Sequence, residues 1–377
     1  MAVYKIFPIQ DATIYTGNPN MNTGLDEILE ATTDFIFNNP SLETSLPQSS
    51  RFLIQFDSND ITYISSSLIK TQSWDVNLKL FTTKTLGIQI NTKLIVNAIS
   101  QSWNMGTGKY LDLPETQNGV SWVWRDYSGS NAWLTSGFGA NSTGSYNLTT
   151  NPSSSGGGVW WTDFQASQSF SYYSSLDLNF DVKSIVQQWT GSVWPNYGFI
   201  VRQDPSQEFI DNENNQVTLK YFSRDTHTIY PPCLEFKWKD FIWNTGSSTQ
   251  TIITNPQVYV SLENNSGVYY NESIQRFRLN VRPQYPTRAF QTSSIYTDNY
   301  YLPTASYYAV KDLDTNEYVI DFDTTYTKIS ADLDSNYFDI YMDGLEPERY
   351  YTILVQTTIE GTTKILNNNY LFKVING

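Results

Sequence analysis

In a chain that elsewhere alternates apolar and polar residues like β-structure, one stretch keeps helical spacing. Val182, Ile185, Val186 and Trp189 recur so that one side of about two turns is apolar. Asp181 stands where an N-cap would, with a side chain able to accept a hydrogen bond from the free N–H groups of the first turn. Trp194-Pro195-Asn196 then breaks the pattern, and Tyr197 to Val201 reads as a buried strand. A lone short helix can bury its apolar side only if sheets close around it. The first two-thirds of the chain is therefore expected to wrap this segment, with Trp189 as a structural plug at one end of a sandwich.

At 377 residues the chain has room for two or three domains. Charged residues make up 16% against a usual ~25%, so neutral polar groups must wet the surface. A net charge of −14 with no basic run excludes direct nucleic-acid binding, which needs Lys and Arg to displace counterions, and disfavours an anionic membrane surface. Cys233 is the one cysteine and His227 the one histidine. Intrachain disulfides, cysteine-rich zinc sites and clusters of His ligands are excluded. On a strand these two would share a face without being hydrogen-bond neighbours. A buried thiol and a surface imidazole are expected, not a dyad. The first residues hold no basic segment followed by a long apolar run, so neither a secretory signal nor a membrane span is expected.

Strand patterns run through the chain to Leu234-Glu235-Phe236-Lys237-Trp238, with Arg51 to Asp57 and Val76 to Leu80 among the clearest. Residues 139–158, rich in Gly, Ser, Asn and Thr, cannot bury apolar area and read as a flexible surface loop. After Trp243 the texture changes. The organisation expected is a first domain over 1–240, a linker over 241–252 and a second domain over 253–377. Short strands at intervals typical of a sandwich fill the last part, with Glu360-Gly361 between apolar runs as a hairpin tip.

An ordered set of segments resembles a known family. It comprises Asp11-Ala12-Thr13-Ile14, Asn22-Thr23-Gly24, Arg51 to Asp57, Ser121-Trp122, Asp181 to Trp189, Asn196-Tyr197-Gly198-Phe199, and Tyr221 to Arg224 through Pro232 to Phe236. In that order it resembles the DNRLRE-type β-sandwich domain, related to a family of carbohydrate-binding modules, over about residues 4–238. The resemblance implies a jelly-roll-like sandwich with the short helix crossing one end. Leu345-Glu346-Pro347-Glu348-Arg349-Tyr350-Tyr351 resembles the tyrosine corner of fibronectin type III and immunoglobulin-like domains. Tyr351 is the corner residue on that reading, and Phe338, Ile340, Ile353 and Val355 would face the core. Tyr285-Pro286-Thr287-Arg288, Tyr301-Leu302-Pro303 and Ser306-Tyr307-Tyr308 look like a C-terminal module common in virion proteins of tailed bacteriophages. The fold class expected is all-β: a large jelly-roll-like sandwich with one short helix, then an immunoglobulin-like sandwich.

Trp122, Trp124, Tyr127, Trp133, Trp160 and Trp161 are the candidate glycan-stacking or interface aromatics. Clustered tryptophans fill cores more often than sites. Adjacent Trp160 and Trp161 face opposite ways on a strand, so one of them at most is core. Asp321-Phe322-Asp323-Thr324 matches the DxDxT signature of phosphoryl transfer but lacks its βαβ context. Asp332-Leu333-Asp334-Ser335-Asn336 lacks the glycine and distal Glu of a Ca²⁺ loop and reads as a solvated turn. No catalytic constellation, cofactor site or metal site is expected.

The function expected is that of a structural component of a bacteriophage virion, in the neck, collar or tail. It would be made in the host cytoplasm and act through interfaces with other virion proteins, in a homo-oligomeric ring. The alternative is a carbohydrate-binding module that recognises host-surface polysaccharide.

Overall fold

The computed structural model describes residues 2–37, 45–86, 92–110, 112–133, 156–171, 175–208, 216–246, 251–285 and 300–377, and of 34–37 and 45–48 the backbone alone. Most of the expected loop at 139–158 lies outside these residues, as do 247–250 of the expected linker and Pro286-Thr287-Arg288. The fold is all-β, with several antiparallel sheets. The chain divides into two compact units. One comprises Ile6–Lys70 and Val76–Glu235; the other comprises Phe236–Gly377 with Met1–Lys5 and Thr71–Asp75.

An eight-stranded antiparallel sheet dominates the first unit. Its order is Trp160–Phe170, Thr92–Ile99, Phe199–Gln203, Ser45–Gln55, Ile28–Phe37, Val217–Phe222 and Thr82–Leu86, with Gln10–Tyr15 also paired to Ser45–Gln55. Phe199–Gln203 is buried along its whole length, as suits a central strand covered on both faces. Val217–Phe222 alternates, with Val217, Leu219 and Tyr221 inward. Leu178–Asp181 pairs antiparallel with residues 77–80.

Helices α1 (Ser58–Tyr63), α2 (Lys183–Thr190) and α3 (Pro205–Glu208) interrupt the strands. The expected plug helix is α2, and Val182, Ile185, Val186 and Trp189 are all buried. The Trp189 ring meets Phe199 at 4.7 Å. Its cap differs from expectation. Asp181 ends a strand, Val182 is the N-cap, and the Asp181 carboxylate accepts from the Lys183 N–H at 3.1 Å.

The expectation of a single short helix is also corrected. Asp57 caps α1 by accepting from the Asn59 N–H at 2.8 Å, and α1 runs into a π-helical turn over Ile64–Ile69. The Lys70 N–H reaches back to the Ser65 carbonyl, the five-residue span of a π turn. Ile69, at the end of that wider turn, is buried, as are Ile61 and Ile64. The intervening Thr62, Ser65, Ser66 and Ser67 have weak helix propensity, which hid the segment.

The first unit holds a buried ion pair. Arg51, on the strand Ser45–Gln55, donates to both carboxylate oxygens of Glu208 at 2.5 and 3.0 Å, and to the Gly157 carbonyl at 2.5 Å. Both side chains are almost fully buried. The Arg51 guanidinium lies 4.8 Å from the Trp122 ring and 5.1 Å from the Trp160 ring, while Arg202 lies 4.7 Å from Trp160. Gly157 has φ +82°, and a β-carbon there would stand 2.6 Å from Arg51 Nη1, so only glycine lets the backbone approach this closely. Around the pair a core gathers Ile14, Leu53, Ile99, Trp103, Trp133 and Ile200.

In the second unit a four-stranded sheet has the order Val258–Glu263, Ile274–Pro283, Asn336–Tyr341 and Ser330–Ala331. A five-stranded sheet has the order Val268–Tyr270, Thr362–Ile375, Tyr350–Ile359, Ser306–Asp312 and Tyr318–Ile320, with its first pair parallel. Phe277, Leu279, Val281 and Phe338 from the first sheet share a core with Tyr308, Ile353, Val355 and Phe372 from the second. Ile340 belongs to it as well. Buried Tyr351 donates its hydroxyl to the Glu346 carbonyl at 2.8 Å and so pins the turn before its strand. Within the expected linker, Trp243 bridges Ala331, and its ring meets Tyr301 at 6.3 Å. Among the described residues no helix is long and apolar enough to cross a membrane.

Glu208→Ala should destabilise the first unit by ~3–5 kcal/mol, because Arg51 is left buried without its counter-charge. An apolar pair replacing both residues should cost less than that single change. Denaturant melts of the three proteins measure the difference.

Candidate functional site

The feature that sets one surface region apart begins with a break in strand register. On the strand Trp160–Phe170, Trp160 pairs with Ile99 and Gln165 pairs with Asn97, so extra residues bulge out between them. The buried Asn97 amide donates to the freed carbonyls of Trp161 and Phe164 at 3.1 and 3.4 Å. The bulge thereby turns Trp161 and Phe164 toward the segment that leaves α2. The Trp161 ring stacks on Trp194 at 5.2 Å with planes 6° apart, and Phe164 meets Trp194 at 5.6 Å.

Beside this stack lies a cleft of about 440 Å³ between α1 and the end of α2. Its lining divides by chemistry. Trp189, Trp194, Pro195, Val193 and Ile61 are apolar, whereas Ser58, Thr62, Thr190, Ser192 and Asn196 are polar and uncharged. Asn196 fixes the wall. Its amide donates to the Phe56 carbonyl at 3.0 Å and to the Ser58 hydroxyl at 3.2 Å, and its side-chain oxygen accepts from the Gly198 N–H at 3.0 Å. Among the described residues the buried Trp189 indole N–H has no acceptor.

The tryptophans picked from sequence scatter across different roles. Trp122, Trp133 and Trp160 are buried in one core, where Trp133 donates to the Ser121 carbonyl at 3.0 Å and the other two rings lie against arginines. Their faces are taken by protein. Trp124 and Tyr127 are half-buried, meet edge-on at 5.4 Å, and Trp124 donates to the Asn20 side chain at 3.1 Å. Trp161 alone of the set joins the stack beside the cleft. Sequence reasoning did not single out Trp194 and Asn196 as functional. The Trp-Pro-Asn triplet directly after the helix was the available signal.

Among the described residues no group of three or more His, Cys, Asp and Glu is placed to hold a metal ion. Asp332 accepts from the Asp334 and Ser335 N–H groups and from both Nη atoms of Arg278, which makes its segment a braced turn. Asp323 likewise accepts from the Thr325 and Tyr326 N–H groups. Cys233 is buried and His227 is largely exposed beside Glu27.

One carboxyl is out of the ordinary. Asp11 is fully buried, with one oxygen accepting from the Arg224 N–H at 2.7 Å and the other, among the described residues, without a partner. Burial pushes its pKa up to about 8; the Arg224 N–H opposes this and the Asp225 carboxylate adds to it. Asp26, half-buried beside a smaller surface groove at Lys109 and Tyr110, is raised to about 6, again chiefly by burial.

No family model matches the chain, and no curated protein matches it. Among solved structures, a DUF4785 family protein from Legionella pneumophila aligns over 98% of this chain and 65% of its own, at 8% identity and a TM-score of 0.19. A β-glucuronidase from Parabacteroides merdae aligns over 96% of this chain and 35% of its own, at 10% identity and a TM-score of 0.16. This chain thus spans less than two-thirds of either neighbour, and likeness at these scores carries no argument about fold or activity.

Trp189→Ala should cost ~3–5 kcal/mol in a denaturant melt, the usual cost of deleting a large buried side chain; a loss below ~1 kcal/mol would remove the plug role. The raised Asp11 pKa has a definite sign. The folded state binds the proton more tightly than the unfolded one, so the stabilising contribution is full below about 3.8 and is lost as pH rises toward about 8. Asp11→Asn should flatten the fall in stability between pH 5 and pH 8, measured by urea unfolding at both.

Proposed function

We propose that this chain is a non-enzymatic structural component of a bacteriophage virion, in the neck, collar or tail, that works through subunit interfaces. The observation that carries the reading is the outward face of the five-stranded sheet. Register places Val268 beside Lys373 and Lys373 beside Tyr350, with Tyr270 beside Ile375. Leu371, Thr352, Lys311 and Tyr318 continue the same face. Tyr270 is 61% exposed and Tyr350 49%. Tyrosine-rich surface with few charges suits the buried centre of a subunit contact. Lys373 and Lys311 lie over Tyr350 and Tyr318 at 5.8 and 5.0 Å, which keeps these rings partly covered until a partner arrives.

The finer fold reading belongs to the same proposal. The domain over 1–240 is a DNRLRE-like, jelly-roll-like sandwich whose end α2 closes. The domain over 253–377, reached through 241–252, is an immunoglobulin-like sandwich. The bond from the Tyr351 hydroxyl to the Glu346 carbonyl supports the tyrosine corner of that second sandwich. Identical copies would form a homo-oligomeric ring with other virion proteins as neighbours.

A second reading, recognition of surface polysaccharide, is favoured by one observation: the Trp161–Trp194 stack beside an uncharged polar cleft. The two readings are compatible on one particle.

Negative-stain imaging of purified phage with labelled antibody against this chain should place label on the neck, collar or tail. Intact particles that carry no label would overturn the virion reading.

A further inference from the structure

We propose that the cleft between α1 and the end of α2 binds a neutral saccharide, with Thr62, Thr190 and Ser192 as its polar lining and Val193, Trp189 and Trp194 as its apolar lining. The inference rests on the polysaccharide reading and gives it a site away from most of the aromatics that sequence suggested.

Lining chemistry sets the ligand class. Among the described residues no Asp, Glu, Lys or Arg lines the cleft, although the chain carries a net charge of −14. A charged ligand would find no counter-charge there, and burying it unpaired is costly. Hydroxyl and amide groups over tryptophan suit a ligand that is polar at its edges and apolar on a face. A volume of about 440 Å³ falls within the range of small-molecule sites, roughly 300–1,000 Å³.

Hydrogen-bonding capacity is left over. Ser58 accepts from Asn196, so its own proton is free to be donated. Thr62 donates to the Ser58 carbonyl at 2.7 Å, which leaves the lone pairs of its oxygen available.

The backbone supplies an independent observation. Helix α2 ends in a Schellman arrangement, with the Val193 N–H on the Gln188 carbonyl at 2.9 Å and the Ser192 N–H on the Trp189 carbonyl at 3.0 Å. The left-handed position in that motif usually belongs to glycine. Here it is Ser192, at φ +56°, and Gly191 precedes it. Serine costs stability relative to glycine at such a position, and this serine lines the cleft. The apolar residue that follows in such motifs ordinarily packs back on the helix. Val193 instead is 65% exposed at the rim.

The test uses the full chain on a glycan array that carries neutral hexose and N-acetylhexosamine oligosaccharides beside sialylated and uronate-containing ones. Neutral glycans should bind. Val193→Asp should weaken the best neutral ligand tenfold or more in solution titration, with the melting temperature unchanged because Val193 is exposed. Ser192→Gly should weaken binding while raising the melting temperature, a pairing that a purely structural role would not produce. Trp194→Ala is avoided because Trp194 is buried. Binding that survives both substitutions would overturn the cleft assignment and leave the polysaccharide reading standing. Binding confined to acidic glycans would overturn the neutral class. Absence of binding to every saccharide would overturn the site and the reading together.

Discussion

The first unit depends on a charge that is expensive to bury and is therefore surrounded on every side. Arg51 brings a guanidinium into the core, Glu208 neutralises it through two hydrogen bonds, the Gly157 carbonyl takes a third, and Trp122 and Trp160 cover it. Each partner comes from a different part of the chain. Arg51 stands on a central strand, Glu208 ends α3, Gly157 lies just before the edge strand, and Trp122 lies in the long connection after Thr92–Ile99. Such a pair adds little net stability compared with apolar packing. What it adds is registration: unless all these segments arrive, a buried charge is left unpaired.

The same economy shapes the edge. Asn97 is buried on the strand beside Phe199–Gln203, and its side chain links the Trp161 bulge on one side to Arg202 on the other. Arg202 in turn lies over Trp160. A polar chain thus runs from the Arg51 pair out to the bulge that presents Trp161 against Trp194. Half-buried Trp161 is thus braced by the interior network as well as by its own strand.

Much of the second unit was legible because its strands each have one face inside. Phe277, Leu279 and Val281 alternate inward, as do Phe338 with Ile340 and Ile353 with Val355, and period-two alternation is visible without any neighbour. Tyr351 was legible for a similar reason: the Leu345, Pro347 and Tyr351 spacing is local. The apolar side of α2 was also local. The α1 segment was not, because its Ser and Thr residues favour turns and Ile69 reaches the core only through a π turn. The cleft was not legible either. Its walls come from Ser58–Thr62 and Trp189–Asn196, far apart in the chain, and Trp161 reaches its edge only because the ladder slips between Trp160 and Gln165.

The amino-acid sequence by itself determined the β-rich class, the helix that carries Val182, Ile185, Val186 and Trp189, and the exclusion of disulfides, since these follow from residue type and short-range periodicity. Tertiary structure decided which tryptophans are core and which stand at the surface. A tryptophan's neighbours across a sheet are set by strand register and by long-range partners such as Arg51 and Asn97, and no local pattern encodes those. The helix buries the apolar side that its spacing implied. Its C-terminal turn, with Ser192 at φ +56°, lines a cleft whose other wall only the fold brings close.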